Sequence, residues 1–316
     1  MEDRLTLLAS VADLYYLENQ SQEKIARKFG YSRSAISRLL TEARHKGVVE
    51  IHVNYPVPRN KELERQLRQR FGLATVIVAE RGRSDYRQML RNLGRLGAFH
   101  LLEVLSDTAT LGVSWGTAIF EVANALPRRY MPDVKVVQML GSAGYGDPNV
   151  DGSGVGRAIA DRLNSHHFAL GAPLIARDEV TRNLFLREPN ISVFLLLSLY
   201  ADVALVGIGS VELGRSSLLR TGYLKEEEIL DIKARGAVGH ICAQHFNEQG
   251  QILDCEINRR VIGVDLQKLV TSGCQIIGVA GGKVKAPAIL GALRGKFLDS
   301  LVTDSAAAEV ILELDQ

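Results

Sequence analysis

The 316 residues carry 38 basic and 36 acidic side chains, a formal net charge of +2, so the chain does not read as a general nucleic-acid coat. Its length suggests about two domains, and an apolar fraction of 46% is enough for sizeable cores. The three cysteines, Cys242, Cys255 and Cys274, are far apart with no CxxC, which speaks against a disulfide framework or structural zinc and fits a reducing, cytoplasmic setting.

Taken in order, Leu5, Leu8, Ala12, Tyr15 and Tyr16 form a helical stripe expected to pack beneath the segment that follows. Charged residues at Glu2, Asp3, Arg4 and Asp13 argue against a signal peptide here. Ser21–Val53 then reads as a helix-turn-helix with a wing. Ser21 is placed to cap a first helix, Gly30 to end it, and Ser32 to cap a second. In the second helix Ile36, Leu39, Leu40 and Ala43 make one buried stripe, while Ser34, Ser37, Arg38 and Thr41 make the opposite one. Short hydroxyls let a helix approach the major groove closely, and an Arg reaches a guanine edge or a phosphate. Between Lys24 and Lys46 stand seven Lys or Arg against one acid, Glu42, a concentration suited to phosphate neutralisation. Ser32, Arg33, Ser34, Ser37, Arg38 and Thr41 are therefore the candidate DNA contacts, with Gly47–Val53 as the wing strand.

Pro56 and Pro58 mark a boundary, because proline removes donors and disfavours helix before it. Residues 60–72 predict a charged helix with a narrow stripe of Leu63, Leu67 and Phe71, suited either to pairing with a copy of itself or to lying on the next domain. The division expected is 1–55 for the DNA-binding head, 56–73 for a linker helix and 74–316 for an effector and oligomerisation domain.

From Ala74 onward short β-branched runs alternate with helical stretches. Strands are predicted at Thr75–Ala79, Ala109–Ser114, Val134–Leu140, His167–Ala169, Val203–Ile208, Gln275–Ala280 and Leu301–Thr303. Helices are predicted at about 85–105, 116–126, 154–165, 178–187, 191–200, 225–234, 286–294 and 305–314. Such alternation argues for an α/β fold with a doubly wound, mainly parallel sheet. An antiparallel hairpin is expected within it, Ala237–Phe246 and Gln251–Ile257 around a turn at Asn247–Gly250. No apolar run is long enough to span a membrane.

Ligands of open α/β sheets sit at the carboxyl ends of strands. Four Gly-rich loops fall there. The first is Ser114-Trp115-Gly116-Thr117. The second begins at Gly141 and continues through Asp151. The third contains Gly207 and Gly209, and the fourth runs Gly281-Gly282-Lys283-Val284-Lys285. Backbone N–H groups at a helix start suit an anion, and Lys285 is placed at such a start. Trp115 either stacks on a sugar face or plugs the core. There is no GxxxxGK[ST] and no strand-preceded GxGxxG, and no general acid/base pair is evident. No catalytic residue, cofactor or metal is expected. The competing class is a sugar-phosphate isomerase-like enzyme carrying a DNA-binding head.

With head and loops assembled, the chain resembles the SorC family of bacterial transcriptional regulators along nearly its whole length. The matching motifs are Leu14-Tyr15-Tyr16, Ser21–Ala26, Ser32–Leu40, Gly112-Val113-Ser114-Trp115-Gly116, Asp202–Gly209, Gly236-Ala237-Val238-Gly239, Ala280-Gly281-Gly282 with Lys285, Ala288 and Ile289, and Leu301–Asp304. The resemblance implies a winged-helix head, a sugar-binding domain akin to the sugar-phosphate isomerase fold, and a homo-oligomer, dimer or tetramer, acting on operator DNA of a carbohydrate or polyol catabolic operon. It implies a sugar, polyol or sugar-phosphate effector, with Thr117 and Lys285 as phosphate contacts and Gln22 as a DNA contact. His240 stands where relatives that bind phosphorylated sugars place Asp or Glu, exchanging an acceptor for a group that both donates and accepts. The candidate effector contacts are thus Ser114, Trp115, Gly116, Thr117, Gly141, Asp151, Gly209, His240 and Lys285.

Overall fold

The computed structural model describes residues 2–49, 56–82, 85–142 and 152–316. The chain divides into two compact units, Met1–Pro56 and Val57–Gln316.

The first unit is three helices, α1 (Glu2–Ala12), α2 (Gln22–Phe29) and α3 (Arg33–His45). Ser21 Oγ accepts from Lys24 N at 3.3 Å, and Ser32 Oγ accepts from Ala35 N at 3.1 Å. Gly30 sits at φ +71°, the left-handed region in which a side chain would be strained. Ile36, Leu39, Leu40 and Ala43 are buried against Ile25 and Ala26 of α2 and Leu8, Val11, Ala12 and Leu14 from the N-terminal helix. That last group corrects the predicted stripe, for Leu5 is 45% exposed. Beyond Ala12 the helix widens into a π turn, Asp13–Leu17, within which Leu14 is buried. Tyr15 and Tyr16 are half-buried and meet edge to face. Arg4 of α1 pairs with Glu42 of α3 at 2.6 Å. Of the expected wing, Gly47–Val49 form a turn and bend, and the rest lies outside the described residues.

The second unit opens with α4 (Lys61–Phe71) and β1 (Thr75–Ala79), then α5 (Tyr86–Val104), β2 (Thr110–Val113), α6 (Thr117–Ala125), β3 (Lys135–Gln138), α7 (Gly152–Leu163) and β4 (His166–Phe168). It continues with α8 (Glu179–Arg187), α9 (Pro189–Leu199), β5 (Val203–Gly207), β6 (Gly209–Ser210), α10 (Ser217–Arg220), α11 (Glu226–Ala234), β7 (Ala237–Ile241) and β8 (Gln244–Asn247). The last elements are α12 (Glu256–Arg260), α13 (Leu266–Thr271), β9 (Gln275–Val279), α14 (Ala286–Arg294), β10 (Ser300–Asp304) and α15 (Ser305–Leu314).

Seven parallel strands form one sheet in the order β1-β10-β9-β5-β2-β3-β4. Both faces are covered, and the strand residues alternate between two cores. Val76, Val78, Ala204 and Val206 enter one, and Ile77, Ala79, Val203 and Leu205 enter the other. That two-sided burial is why the strands read as unbroken apolar runs. The narrow stripe of α4 lies on the second unit. Leu67 is fully buried, α4 packs on β1 and α15, and Arg70 pairs with Asp315 at 2.6 Å.

A second, antiparallel sheet runs β6-β7-β8. Its hairpin turns one step earlier than expected, at Cys242-Ala243, whose φ values are +49° and +61°. Neither residue announces a tight turn in sequence, unlike the Asn247–Gly250 turn that follows β8. The expected strand Gln251–Ile257 reduces to a single bridge between Ile252 and Phe246, and Glu256 opens α12 instead.

Candidate effector pocket and nucleic-acid interface

β9, β5 and β2 are adjacent at the centre of the large sheet, so the loops leaving their carboxyl ends converge. A pocket forms there of about 660 Å³, counting its open mouth. Its lining includes Ser114, Trp115, Gly116 and Thr117 after β2, Gly207 at the end of β5 with Ile208 and Gly209 following it, and Lys285 after β9. Ser114 braces this junction, since its Oγ accepts from Gly207 N at 3.0 Å. Gly116, at φ +124°, opens α6 without a side-chain cap, and Gly116, Thr117 and Ala118 at that helix start line the pocket.

Lys285 ends a 3-10 turn, Lys283–Lys285, that leads into α14. Its ammonium donates to the Ile208 carbonyl at 2.7 Å. Burial, with the nearby Arg220 and Arg215 guanidiniums, pulls its pKa down to about 8. His240 lies in one cross-strand row with Gly209 and His245. A Cβ on Gly209 would come within 2.0 Å of His240 Nε2, so only glycine leaves room for the ring. Burial, then His245 and Lys285, hold His240 well below the usual histidine range, so its imidazole is neutral. Its Nε2 is buried with no hydrogen-bond partner in the structure.

Four polar residues that sequence reasoning did not single out complete the wall, Tyr86, Arg215, Ser217 and Arg220. Arg215 lies over the Tyr86 ring at 4.5 Å. With Lys285 they bring three cations to the pocket, and among the described residues no carboxylate lines it.

On the first unit, Ser32, Arg33, Ser34, Ser37, Arg38 and Thr41 are all exposed, and Gln22 is half-buried at the start of α2. Several hydroxyls are already engaged. Ser32 caps α3 and lies 2.9 Å from Ser34 Oγ, and Thr41 Oγ1 donates to Ser37 O at 3.1 Å. Arg33 lies 3.3 Å from Glu23.

The Sugar-bind family of sugar-binding domains matches residues 55–313. The sorbitol operon regulator of Klebsiella pneumoniae is 31% identical over 316 residues, covering 98% of this chain and 99% of that one. The crystal structure of the full-length regulator superposes with a TM-score of 0.74 over 98% of this chain. This chain belongs to the SorC family of transcriptional regulators. The deoxyribonucleoside regulator of Bacillus subtilis (strain 168), 31% identical over 98% of both chains, and the transcriptional regulator LsrR of Enterobacter sp. (strain 638), 34% identical over 98% of this chain and 93% of its own, are further relatives. As a SorC-family member it is an effector-responsive, DNA-binding transcriptional regulator with a sugar-binding domain.

Of the nine residues expected to meet the effector, seven line the pocket of this SorC-family chain. Gly141 is not among them. A Cβ there would fall 2.2 Å from the Pro173 carbonyl oxygen, so the glycine serves a close backbone crossing, while its neighbour Leu140 reaches the pocket. Asp151 lies outside the described residues. The Gly281-Gly282 pair positions Lys285 rather than lining the cavity. Gly282, at φ +92°, donates its N–H to Asp304 Oδ1 at 2.6 Å. All three cysteines are buried and free, and no described helix is long and apolar enough to cross a membrane.

Proposed function

We propose that this regulator controls a carbohydrate or polyol catabolic operon and that its effector is a phosphorylated sugar or polyol bound in the central pocket. The observation that carries the reading is the wall of Lys285, Arg215 and Arg220 beside the uncapped start of α6, with no described carboxylate opposite. A phosphate dianion satisfies the helix N–H groups, the Thr117 hydroxyl and these cations together. Trp115, Tyr86 and the neutral His240 are then left for the sugar or polyol body, in which His240 both donates to and accepts from hydroxyls.

In the head, Arg38 is the base-reading candidate, since it is exposed on α3 and carries no ion-pair or hydrogen-bond partner among the described residues. Gln22, Arg33, Ser34, Ser37 and Thr41 contact backbone or base edges, with Ser32 holding the helix start. The chain acts as a homo-oligomer in the cytoplasm, because a single head of this size gains affinity and half-site spacing only by pairing. We read residues 1–55 as the DNA-binding head, 56–73 as a linker segment and the remainder as the effector domain. We read the pocket as a binding site and not an active site, consistent with the regulator names of its relatives.

Calorimetric titration of the full chain with inorganic phosphate, and with sugars and polyols in phosphorylated and free form, tests this. Phosphorylated members are expected to bind at least tenfold tighter than their free counterparts, and Arg220→Ala to erase the difference. Tighter binding of an unphosphorylated sugar, or turnover of any sugar phosphate, would displace the proposal.

A further inference from the structure

A series of hydrogen bonds, joined through the peptide link between Asp304 and Ser305, runs from the pocket to the first residues of the second unit. Lys285 N donates to Gly282 O at 2.9 Å, and Gly282 N donates to Asp304 Oδ1 at 2.6 Å. Asp304 is fully buried, and Gly281 has no room for a Cβ beside the same carboxylate oxygen. The next residue, Ser305, begins α15. Its hydroxyl accepts from Arg81 N at 3.2 Å and donates to Glu80 Oε1 at 3.1 Å. The other carboxylate oxygen of Glu80 accepts from Asn60 Nδ2 at 2.9 Å, and Glu80 N donates to Pro58 O at 2.7 Å.

Residues 57–60 form a strap along the end of β1. Arg59 bridges Ala79 in antiparallel sense, and Asn60 N donates to Val78 O at 2.9 Å. Asn60 Oδ1 also caps α4 through Leu63 N. Glu80 therefore holds the strap on one oxygen and the start of α15 on the other. Val57 follows in sequence directly upon Pro56, the last residue of the unit that carries α3.

We propose that this series transmits occupancy of the pocket to the strap that leads from the head, with Glu80 as the positioning residue that joins its two halves. The proposal rests on the reading of the pocket as an anion site. Lys285 has a discrete choice of acceptor, the Ile208 carbonyl or an oxygen of the ligand, and a choice between two partners is what a switch requires. Its own turn is short and bonded at both ends, so displacement of Lys285 is passed to Gly282 and the buried Asp304 rather than absorbed. Beyond Ser305 the series has an exposed crossing, Glu80, which the body of the domain does not need for packing.

Hydrogen exchange by mass spectrometry on the full chain, with and without saturating inorganic phosphate, provides the test. In the wild type, phosphate is expected to slow exchange several-fold both at 114–118 and at 57–64. Glu80→Ala is expected to keep the first effect and lose the second. Ser305→Ala breaks the neighbouring link and is expected to do the same. The ratio with and without phosphate is the quantity read, so a variant that merely loosens the strap changes the baseline and not the ratio. A protected pocket with an unaffected wild-type strap would overturn the transmission route alone, as would a strap that still responds in Glu80→Ala. An unprotected pocket would remove the anion reading and this proposal together.

Discussion

The protonation of Lys285 decides how the pocket treats an anion. Its pKa of about 8 means that the ammonium is present below that value and is lost as pH rises through it. A bound phosphate raises that pKa, so binding takes up protons, and affinity falls as pH rises above about 8, by at most tenfold per pH unit for one coupled proton. Calorimetry between pH 6.5 and 9.5 in buffers of different ionisation heat reads both effects. Lys285→Arg should flatten the profile, since a guanidinium keeps its charge throughout. Arg38 is a second residue-scale case. Arg38→Ala should weaken operator binding by about 1–3 kcal/mol and relax specificity at one base position, whereas a phosphate-contacting Lys or Arg would weaken all sequences alike. Gel shifts on single-base operator variants distinguish these. Thr117 and Lys285 were legible in the sequence because each follows a strand end and a Gly turn, whereas His240, inside β7, was singled out only through the family resemblance. Arg215 and Arg220 were not. Arg220 ends α10, a four-residue helix whose place is fixed only by tertiary packing, Arg215 lies in the turn before it, and Tyr86 joins them from the start of α5.

At the scale of elements, the parallel sheet was readable strand by strand because burial on both faces leaves a run of apolar residues that few other arrangements allow. The hairpin was misplaced for the opposite reason. The left-handed turn falls on Cys242-Ala243, and tertiary context holds it against their backbone preference, with both side chains buried at the pocket's edge. Helix contacts were equally hidden. Gly94 lets α5 and α6 touch, for a Cβ there would lie 2.4 Å from the Glu121 carbonyl oxygen. Gly94→Ala should therefore destabilise the second unit by about 1–3 kcal/mol despite the better helix propensity of alanine, the sign being set by overpacking. Urea denaturation followed by near-ultraviolet dichroism would show it, and a gain in stability would mean that α6 can shift aside. In the head, Ser32→Ala removes a cap that the structure resolves as a hydrogen bond, with an expected loss of about 1 kcal/mol.

The whole molecule has two units with separate cores, and this has a thermodynamic consequence. Among the described residues the head rests on ten buried apolar side chains from its three helices and the π turn, whereas the second unit has cores on both faces of a seven-stranded sheet. Domains with separate cores need not unfold together, and a small core supplies less stability than a large one. Scanning calorimetry should accordingly resolve two transitions, the lower one belonging to the head. Leu40→Ala, which opens a cavity at a residue 3% exposed, should lower only the first transition, with a cost of about 2–5 kcal/mol. The phosphorylated effector proposed above, binding the second unit, should raise only the second transition, by an amount that grows with the logarithm of its concentration above the dissociation constant. The two perturbations are independent reports on the same division of labour. If Leu40→Ala lowered both transitions equally, the units would be folding as one cooperative block. A regulator of that kind would have to change DNA affinity by altering the stability of its head, and not by moving the strap from which the head extends.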